Sequence, residues 1–202
     1  PYTRWMEIPE NTRKAISKIL GNEMGRYSLR PGPVLPEPEI YLYWVMHATK
    51  FLKESGRLGM IISNSWLQAD YGINFGNFLL DHFKIKALID ISYRLFKALV
   101  STVIILAERC SNRDERENNE AIFIHVPVKI EAEKLGEILS KIGNYLEGKP
   151  DSLPPNVIAN RVKQKNIPRD QKWIRLFFPK AEEIARAIEH HPLMIRASEW
   201  FW

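Results

Sequence analysis

Residues 86–107 read KALIDISYRLFKALVSTVIILA, two apolar runs separated by a short connection around Phe96. The first run ends at Ile91, and the second, Thr102–Ala107, consists of apolar and β-branched residues that favour buried strands. Parallel neighbours need a crossover of a dozen or more residues, and this connection is too short to supply one as a helix. We therefore predict two adjacent strands that run antiparallel.

The sequence before this pair predicts a helix, a strand and a second helix. Residues 38–54 carry apolar residues four apart and are followed by Gly56, as expected for a helix and its end. The continuous apolar run Leu58–Ile62 predicts a strand covered on both faces, and residues 73–83 predict a helix. The order helix, strand, helix, strand, connection, strand is typical of the second half of a doubly wound α/β sheet.

Three further segments are interpreted from their local composition. Residues 3–36 have little periodic hydrophobicity and predict a long surface loop with one short helix near 12–20. Residues 111–120 have no apolar member and predict a solvated loop. Ala121–Val128, limited by Pro127, predicts an edge strand of the same sheet.

The remaining residues predict mostly helix and linker. Apolar residues at helical spacing indicate a helix over 131–146, and a shorter helix is predicted over 180–190. Between them lies a proline-containing, basic stretch that we interpret as a linker. We therefore divide the sequence into residues 1–128, which hold the sheet, and 129–202, which hold a helix, the basic linker and the approach to a further domain.

Composition excludes several classes of protein. The 202 residues are 45% apolar, enough to bury a core, and the single cysteine permits no internal disulfide. No signal-peptide pattern occurs, and no apolar run approaches the roughly 20 residues needed to cross a bilayer, so we predict a cytoplasmic protein without a membrane partner. The net charge of +5 suits a polyanionic partner but also many ordinary proteins.

Four segments carry a family resemblance. They are Pro1-Tyr2 with the following Thr3-Arg4, the stretch Tyr41–Leu67 with its Ser65-Trp66-Leu67, the connection from Asp90 to Phe96, and Phe96–Ile104. In this order they resemble the gamma-group adenine-specific DNA methyltransferases of restriction-modification systems, in particular large type II enzymes and type I modification subunits. The resemblance implies the C-terminal half of a Rossmann-like methyltransferase sheet, followed by a helical linker toward a target-recognition domain. Since Pro1-Tyr2 resembles the end of an Asn-Pro-Pro-Tyr motif, we expect a segment of a longer protein.

The resemblance assigns the chemistry to two short segments. Pro1 and Tyr2 would be catalytic residues, and the rings of Tyr2 and Phe96 would stack on an adenine flipped out of double-stranded DNA. Flipping is needed because the target amine is hidden inside the duplex. On its own, Tyr2 could equally be an ordinary terminal residue and Phe96 a core aromatic. Trp66 is interpreted as packing rather than substrate contact.

The methyl donor implied by the resemblance is S-adenosylmethionine. Its glycine-rich binding loop would lie upstream of Pro1, so we assign no cofactor-binding residue here and expect the segment alone to be inactive. We predict no metal site, because His125 and His190-His191 lack a partner cluster and are interpreted as lone surface histidines. Asp151 and Asp170-Gln171-Lys172 match the residue types of a nuclease metal-binding pattern, an acid followed later by acid-x-Lys. Such short patterns arise easily by chance.

Basic residues give two candidate DNA contacts. Arg4 follows the tyrosine closely, and we predict that it binds a phosphate near the flipped base. Further basic residues fall in the interpreted linker and could track a phosphate backbone or simply be solvated: Arg161, Lys163, Lys165 and Arg169. A restriction or specificity subunit or domain is a further expected partner. The alternative reading of the whole sequence is a non-catalytic α/β module that binds DNA or docks a subunit.

Overall fold

The computed structural model describes residues 3–31, 38–91, 101–127, 132–149, 153–189 and 191. These residues form a mixed α/β fold around one five-stranded sheet. Its strands are β1 (Arg57–Ser63), β2 (Phe83–Ile91), β3 (Thr102–Arg109), β4 (Glu120–Val126) and β5 (Ile158–Lys163). Their spatial order is β1-β3-β2-β4-β5.

The pairing brings three strand ends to one edge of the sheet. β3 lies between β1 and β2 and is antiparallel to both, with Thr102 opposite Ser63 on one side and Ile91 on the other. β1 and β2 are therefore parallel to each other, and β4 pairs parallel to β2. The carboxyl ends of β1, β2 and β4 consequently share one edge, called here the carboxyl edge, and the opposite edge is the amino edge. The predicted antiparallel pair is confirmed.

Six α-helices accompany the sheet in the described residues. They are α1 (Glu10–Arg26), α2 (Ile40–Thr49), α3 (Tyr71–His82), α4 (Arg113–Asn118), α5 (Ala132–Leu146) and α6 (Pro179–Glu189). The predicted helices over 38–54, 73–83, 131–146 and 180–190 are confirmed as α2, α3, α5 and α6, with α2 shorter at both ends. None of these described helices has the length and hydropathy required of a membrane span.

The two faces of the sheet carry different cores. Side chains alternate across β2, and the bulge between Ile85 and Ala87 shifts this alternation by one residue. Ile85 and Leu88 therefore both join the cluster beneath α1, α2 and α3, while Ile89 joins the cluster beneath α5. Trp66 is buried in the first cluster, at ring-centroid distances of 5.0 Å from Phe75 and 5.6 Å from Trp173. Its interpretation as a packing residue is confirmed.

Two loop predictions were incomplete. The segment 3–36 contains α1, which buries fully only Leu20 and Met24 and therefore has a weak periodic pattern. The segment 111–120 contains α4, whose first turn is capped by the side chain of Asn112. Short polar helices of this kind leave little hydrophobic signal in a sequence.

The region after α5 differs more from the prediction. β4 was expected to be an edge strand, but β5 pairs with it on its outer side, so β4 is interior. The stretch interpreted as a basic linker thus contributes a strand, and Trp173 and Phe177 beyond it enter the main core. The sheet continues past the boundary placed after residue 128, and that boundary stays a prediction.

Candidate functional site

Polar side chains collect at the carboxyl edge. Ser63 ends β1 and is followed by Asn64 and Ser65, Asp90 is the penultimate residue of β2, and His125 is the penultimate residue of β4. Open α/β sheets bind ligands outside the carboxyl ends of their strands, so this edge is the candidate site.

Asp90 is the centre of the first polar group. Its side chain is buried, with Oδ1 accepting a hydrogen bond from the Asn64 amide at 2.9 Å and Oδ2 lying 2.8 Å from His125 Nδ1. The contact with His125 follows from the parallel register of β2 and β4, which places the two residues side by side. The His125 ring also packs against Phe178 at 4.5 Å between centroids. The interpretation of His125 as a lone surface histidine was therefore wrong, because local sequence does not show strand register.

Asn64 also holds the far end of the connection between β2 and β3. Its backbone N–H donates to the carbonyl oxygen of Ser101 at 3.1 Å, immediately before β3 begins. Asn64 thus contacts the connection at Ser101 and, through Asp90, the end of the strand that leads into it.

Ser65 is the centre of the second polar group. Its hydroxyl donates to Glu39 Oε1 at 3.0 Å and lies within 3.0–3.3 Å of three other hydroxyls, those of Ser63, Tyr41 and Tyr71. Burial raises the pKa of both tyrosine hydroxyls above the ordinary phenol value. Both hydroxyls therefore stay protonated and can donate hydrogen bonds within the group.

The first described residues join this second group. The carbonyl oxygen of Thr3 accepts the backbone N–H of Ile40 at 3.2 Å, and Arg4 forms an antiparallel bridge with Glu39. The side chain of Arg4 is exposed, and its guanidinium has no hydrogen bond or ion pair with any residue that the structure describes. Arg4 is therefore a cation at this edge that is available to a ligand.

The predicted catalytic and stacking residues lie outside the described residues. Pro1 and Tyr2 precede Thr3, and Phe96 falls between Ile91 and Ser101. Their described neighbours nevertheless sit at the same edge, joined by contacts through Ile40, Glu39, Ser65 and Asn64. The roles of the three residues stay predictions.

The other predicted DNA contacts lie toward the amino edge. Arg161 pairs with Glu120 at 2.8 Å, Lys163 donates to the Asn118 carbonyl at 3.2 Å, and Arg169 pairs with Asp81 at 2.9 Å. Glu120 and His125 are 5 residues apart along β4, which corresponds to about 17 Å of strand. Lys165 is exposed beside this group. The structure therefore separates these four residues from Arg4, and their contact with DNA stays a prediction.

Two described glycines lie against other parts of the chain. A Cβ at Gly72 would overlap the Trp66 carbonyl, and one at Gly76 would lie 2.8 Å from the Trp173 ring. At both glycines the space beside the backbone is therefore filled by other residues of the chain. Asp90 uses both carboxylate oxygens within the protein. Among the described residues, no three His, Cys, Asp or Glu side chains form a group that could hold a metal ion.

Comparison with known proteins supports one family. Residues 34–96 match the family described as Eco57I restriction-modification methylase. No curated protein matches the chain in a sequence comparison. The family match spans β1, α3, β2 and the residues that lead to Phe96, and therefore includes Asn64, Ser65 and Asp90.

Solved structures are similar in fold. The type IIG restriction endonuclease BpuSI superposes with a TM-score of 0.56 at 14% identity, covering 89% of this chain and 21% of that chain. The methyltransferase subunit of a type I restriction-modification system from Streptococcus thermophilus gives 0.52 at 16% identity, covering 82% of this chain and 33% of that one. The chain thus spans a third or less of these relatives. Together with the mixed α/β fold, the family match confirms the resemblance to restriction-modification methyltransferases that the sequence predicted.

Proposed function

We propose that the full-length protein is a DNA methyltransferase of a restriction-modification system that methylates the exocyclic amine of adenine. The observation that carries this proposal is the run of contacts along the carboxyl edge. It connects Thr3, next to Tyr2, with Ser101, which follows the connection that contains Phe96. The two segments expected to hold the target base therefore start from one edge of one sheet.

The chemistry gives each segment a task. The amine of adenine is a poor nucleophile because its lone pair is delocalised into the ring, and a duplex hides it from any active site. In this proposal Tyr2 and Phe96 stack on the flipped base, with each stacking contact worth about 1–3 kcal/mol. Pro1 belongs to the motif that accepts hydrogen bonds from the amine.

Arg4 would bind the DNA backbone beside the flipped base. It is exposed at the edge of the site and lies two residues after Tyr2 in the sequence. A guanidinium binds phosphate oxygens through two parallel hydrogen bonds, which fixes both the position and the orientation of the strand. We infer a single phosphate contact here. Contacts of Arg161, Lys163, Lys165 and Arg169 would involve DNA that extends toward the amino edge.

The methyl donor in this proposal is S-adenosylmethionine, which supplies an electrophilic methyl group. Since the resemblance places its glycine-rich binding loop upstream of Pro1, the donor would be held mainly by other parts of the full-length protein. We therefore expect the 202 residues by themselves to be inactive. The enzyme would act in the cytoplasm, together with a restriction or specificity subunit or domain.

Nucleoside analysis tests the proposal directly. The full-length protein is incubated with unmethylated phage DNA and S-adenosylmethionine carrying a labelled methyl group, and the DNA is then digested to nucleosides. We expect the label in N6-methyl-2′-deoxyadenosine. Label in a methylated cytosine would refute the adenine specificity. Tight DNA binding without any methyl transfer would favour the alternative, a non-catalytic module.

A further inference from the structure

We propose that the dipeptide Asn64-Ser65 is the positioning element that fixes both base-holding segments relative to each other. The inference rests on the proposed function for its consequence in catalysis. Its structural part, that two adjacent residues hold two different segments, stands on described contacts alone.

Asn64 holds the side of the site that belongs to β2 and β3. Its amide donates to Asp90 Oδ1 at 2.9 Å, and its backbone N–H donates to the Ser101 carbonyl at 3.1 Å. His125 bonds the other oxygen of Asp90 at 2.8 Å, so the carboxylate cannot turn without losing a buried contact. One residue therefore ties both described flanks of the connection to the end of β1.

Ser65 holds the other side. Its hydroxyl donates to Glu39 Oε1 at 3.0 Å, and Glu39 is bridged through its backbone to Arg4. The neighbouring residue, Ile40, donates its N–H to Thr3. The segment that follows Tyr2 is thus attached to the residue next to Asn64.

The dipeptide itself is held rigidly. Trp66 and Leu67 follow it in a short 3-10 turn, and both are completely buried. The N–H of Leu67 also bonds the Asn64 carbonyl at 3.0 Å. Because the turn is packed into the main core, a displacement of the dipeptide would cost packing energy. The two segments are therefore both attached to the core through adjacent residues, Asn64 and Ser65.

Hydrogen exchange in the full-length protein without DNA tests the structural part. We expect Asn64→Ala, which removes the side-chain bond to Asp90 and keeps the backbone bond to Ser101, to speed exchange severalfold at residues 89–91 and to leave Ile40 unchanged. Ser65→Ala should speed exchange at Ile40 and leave residues 89–91 unchanged, whereas Ser65→Thr, which keeps the hydroxyl, should resemble the wild type. Tyr41→Phe is the matched control, since it removes a partner of Ser65 that contacts neither segment. Unchanged exchange at both places in both alanine variants would overturn the proposal.

A swap of two side chains tests the contact between Asn64 and Asp90. Asn64→Asp places two carboxylates against each other and should lower kcat for methyl transfer to phage DNA by about tenfold or more. The double variant Asn64→Asp with Asp90→Asn restores one donor and one acceptor, because the new amide at position 90 can donate to the new carboxylate at position 64 and accept from His125. We expect it to regain most of the lost kcat. The KM for S-adenosylmethionine should change little in either variant.

The outcomes separate this inference from the proposed function. If both alanine variants change exchange as described but methyl transfer is absent from the wild type, the positioning element stands and the proposed function fails. If the wild type is active and the swap does not restore kcat, the positioning role fails while the proposed function stands. Should Asn64→Ala not fold, the comparison of Asn64→Asp with the double variant gives the same decision.

Discussion

Gln164 accepts the backbone N–H of Ile85 through Oε1 at 3.1 Å, inside the bulge that interrupts β2 between Ile85 and Ala87. The same side chain donates to the Phe83 carbonyl at 2.8 Å and is 4% exposed. One residue from the segment after β5 therefore bonds backbone groups in the part of β2 that precedes its pairing with β4, which begins at Ala87.

Removing this side chain should destabilise the fold. We expect Gln164→Ala to lower the free energy of unfolding by about 2–4 kcal/mol, because it strands a buried donor and a buried acceptor. Urea unfolding of the chain measures the change. Lys165→Ala, at the exposed neighbouring position, is the control and should stay within about 0.5 kcal/mol of the wild type. An equal effect of the two substitutions would contradict the role of Gln164.

Two glycines should respond to alanine with opposite sign. A Cβ at Gly72 would overlap the Trp66 carbonyl, so Gly72→Ala must displace the turn that follows Asn64-Ser65. We expect a loss of more than about 2 kcal/mol of unfolding free energy. Gly136 lies within α5 with open space around it, and Gly136→Ala should gain about 0.5–1 kcal/mol. Thermal unfolding of both variants measures these changes, and a neutral Gly72→Ala would show that the turn yields easily.

Stability should decrease as the pH is lowered, because of His82. Burial, with Arg109 nearby, lowers the pKa of this imidazole from 6.5 to about 4. As the pH falls below 6.5, the His82 imidazole becomes protonated in the unfolded chain but stays neutral in the folded chain until about pH 4. The unfolding free energy therefore decreases across this window. The contribution is at most about 3 kcal/mol and is fully present above the window.

Urea unfolding at several pH values compares the wild type with His82→Gln. The variant lacks the titrating group, so its unfolding free energy should fall less steeply between pH 6.5 and 4. Parallel curves for the two proteins would show that His82 does not cause the dependence.

The stacking roles predict a specific optical signal. Once the methylated site is known, 2-aminopurine replaces the target adenine, and its fluorescence rises when the base leaves the stack. We expect Tyr2→Ala and Phe96→Ala in the full-length protein to reduce that rise and to lower kcat/KM by about tenfold. Trp44→Ala removes an aromatic side chain that is 57% exposed on α2 and should leave both unchanged. A wild-type signal in Tyr2→Ala would remove the stacking role of Tyr2.

Salt dependence separates Arg4 from Arg161. We expect Arg4→Ala to reduce the slope of log affinity against log salt by about 0.9, the value for one phosphate contact. Arg161 already bonds Glu120 and the Tyr145 hydroxyl, so Arg161→Ala should reduce the slope less than Arg4→Ala does. A slope that falls with Arg161→Ala and not with Arg4→Ala would place the DNA along the amino edge.

The apolar strands and amphipathic helices could be predicted from the sequence because their signals are local. β1, β2 and β3 are runs of apolar residues, and the short connection between the last two determined their direction. The expectation that β1 is covered on both faces was wrong, because its residues alternate between buried and exposed in the described structure. β5 was not predicted because its residues, IANRVK, are only partly buried and carry two cations. Its strand conformation depends on the β4 partner rather than on its own hydrophobicity.

The candidate site was predicted less completely. The pairing of Asp90 with His125 depends on the parallel register of β2 and β4, and no local pattern encodes a contact across 35 residues. A usable signal was nevertheless present. Asn64, Asp90 and His125 each place a polar side chain at or near the end of an apolar strand, where α/β sheets bind ligands. The family resemblance points only to Tyr2 and Phe96 as base-stacking residues.

β1 has one described neighbour, β3, and its other side offers backbone groups without a partner among the described strands. Ile61 on this strand is 44% exposed. An apolar strand with an open edge accepts any compatible strand, including that of a second copy. The recombinant chain should therefore tend to aggregate through β1 at high concentration. A lysine in place of Ile61 would oppose such edge-to-edge pairing without altering the polar groups at the carboxyl edge.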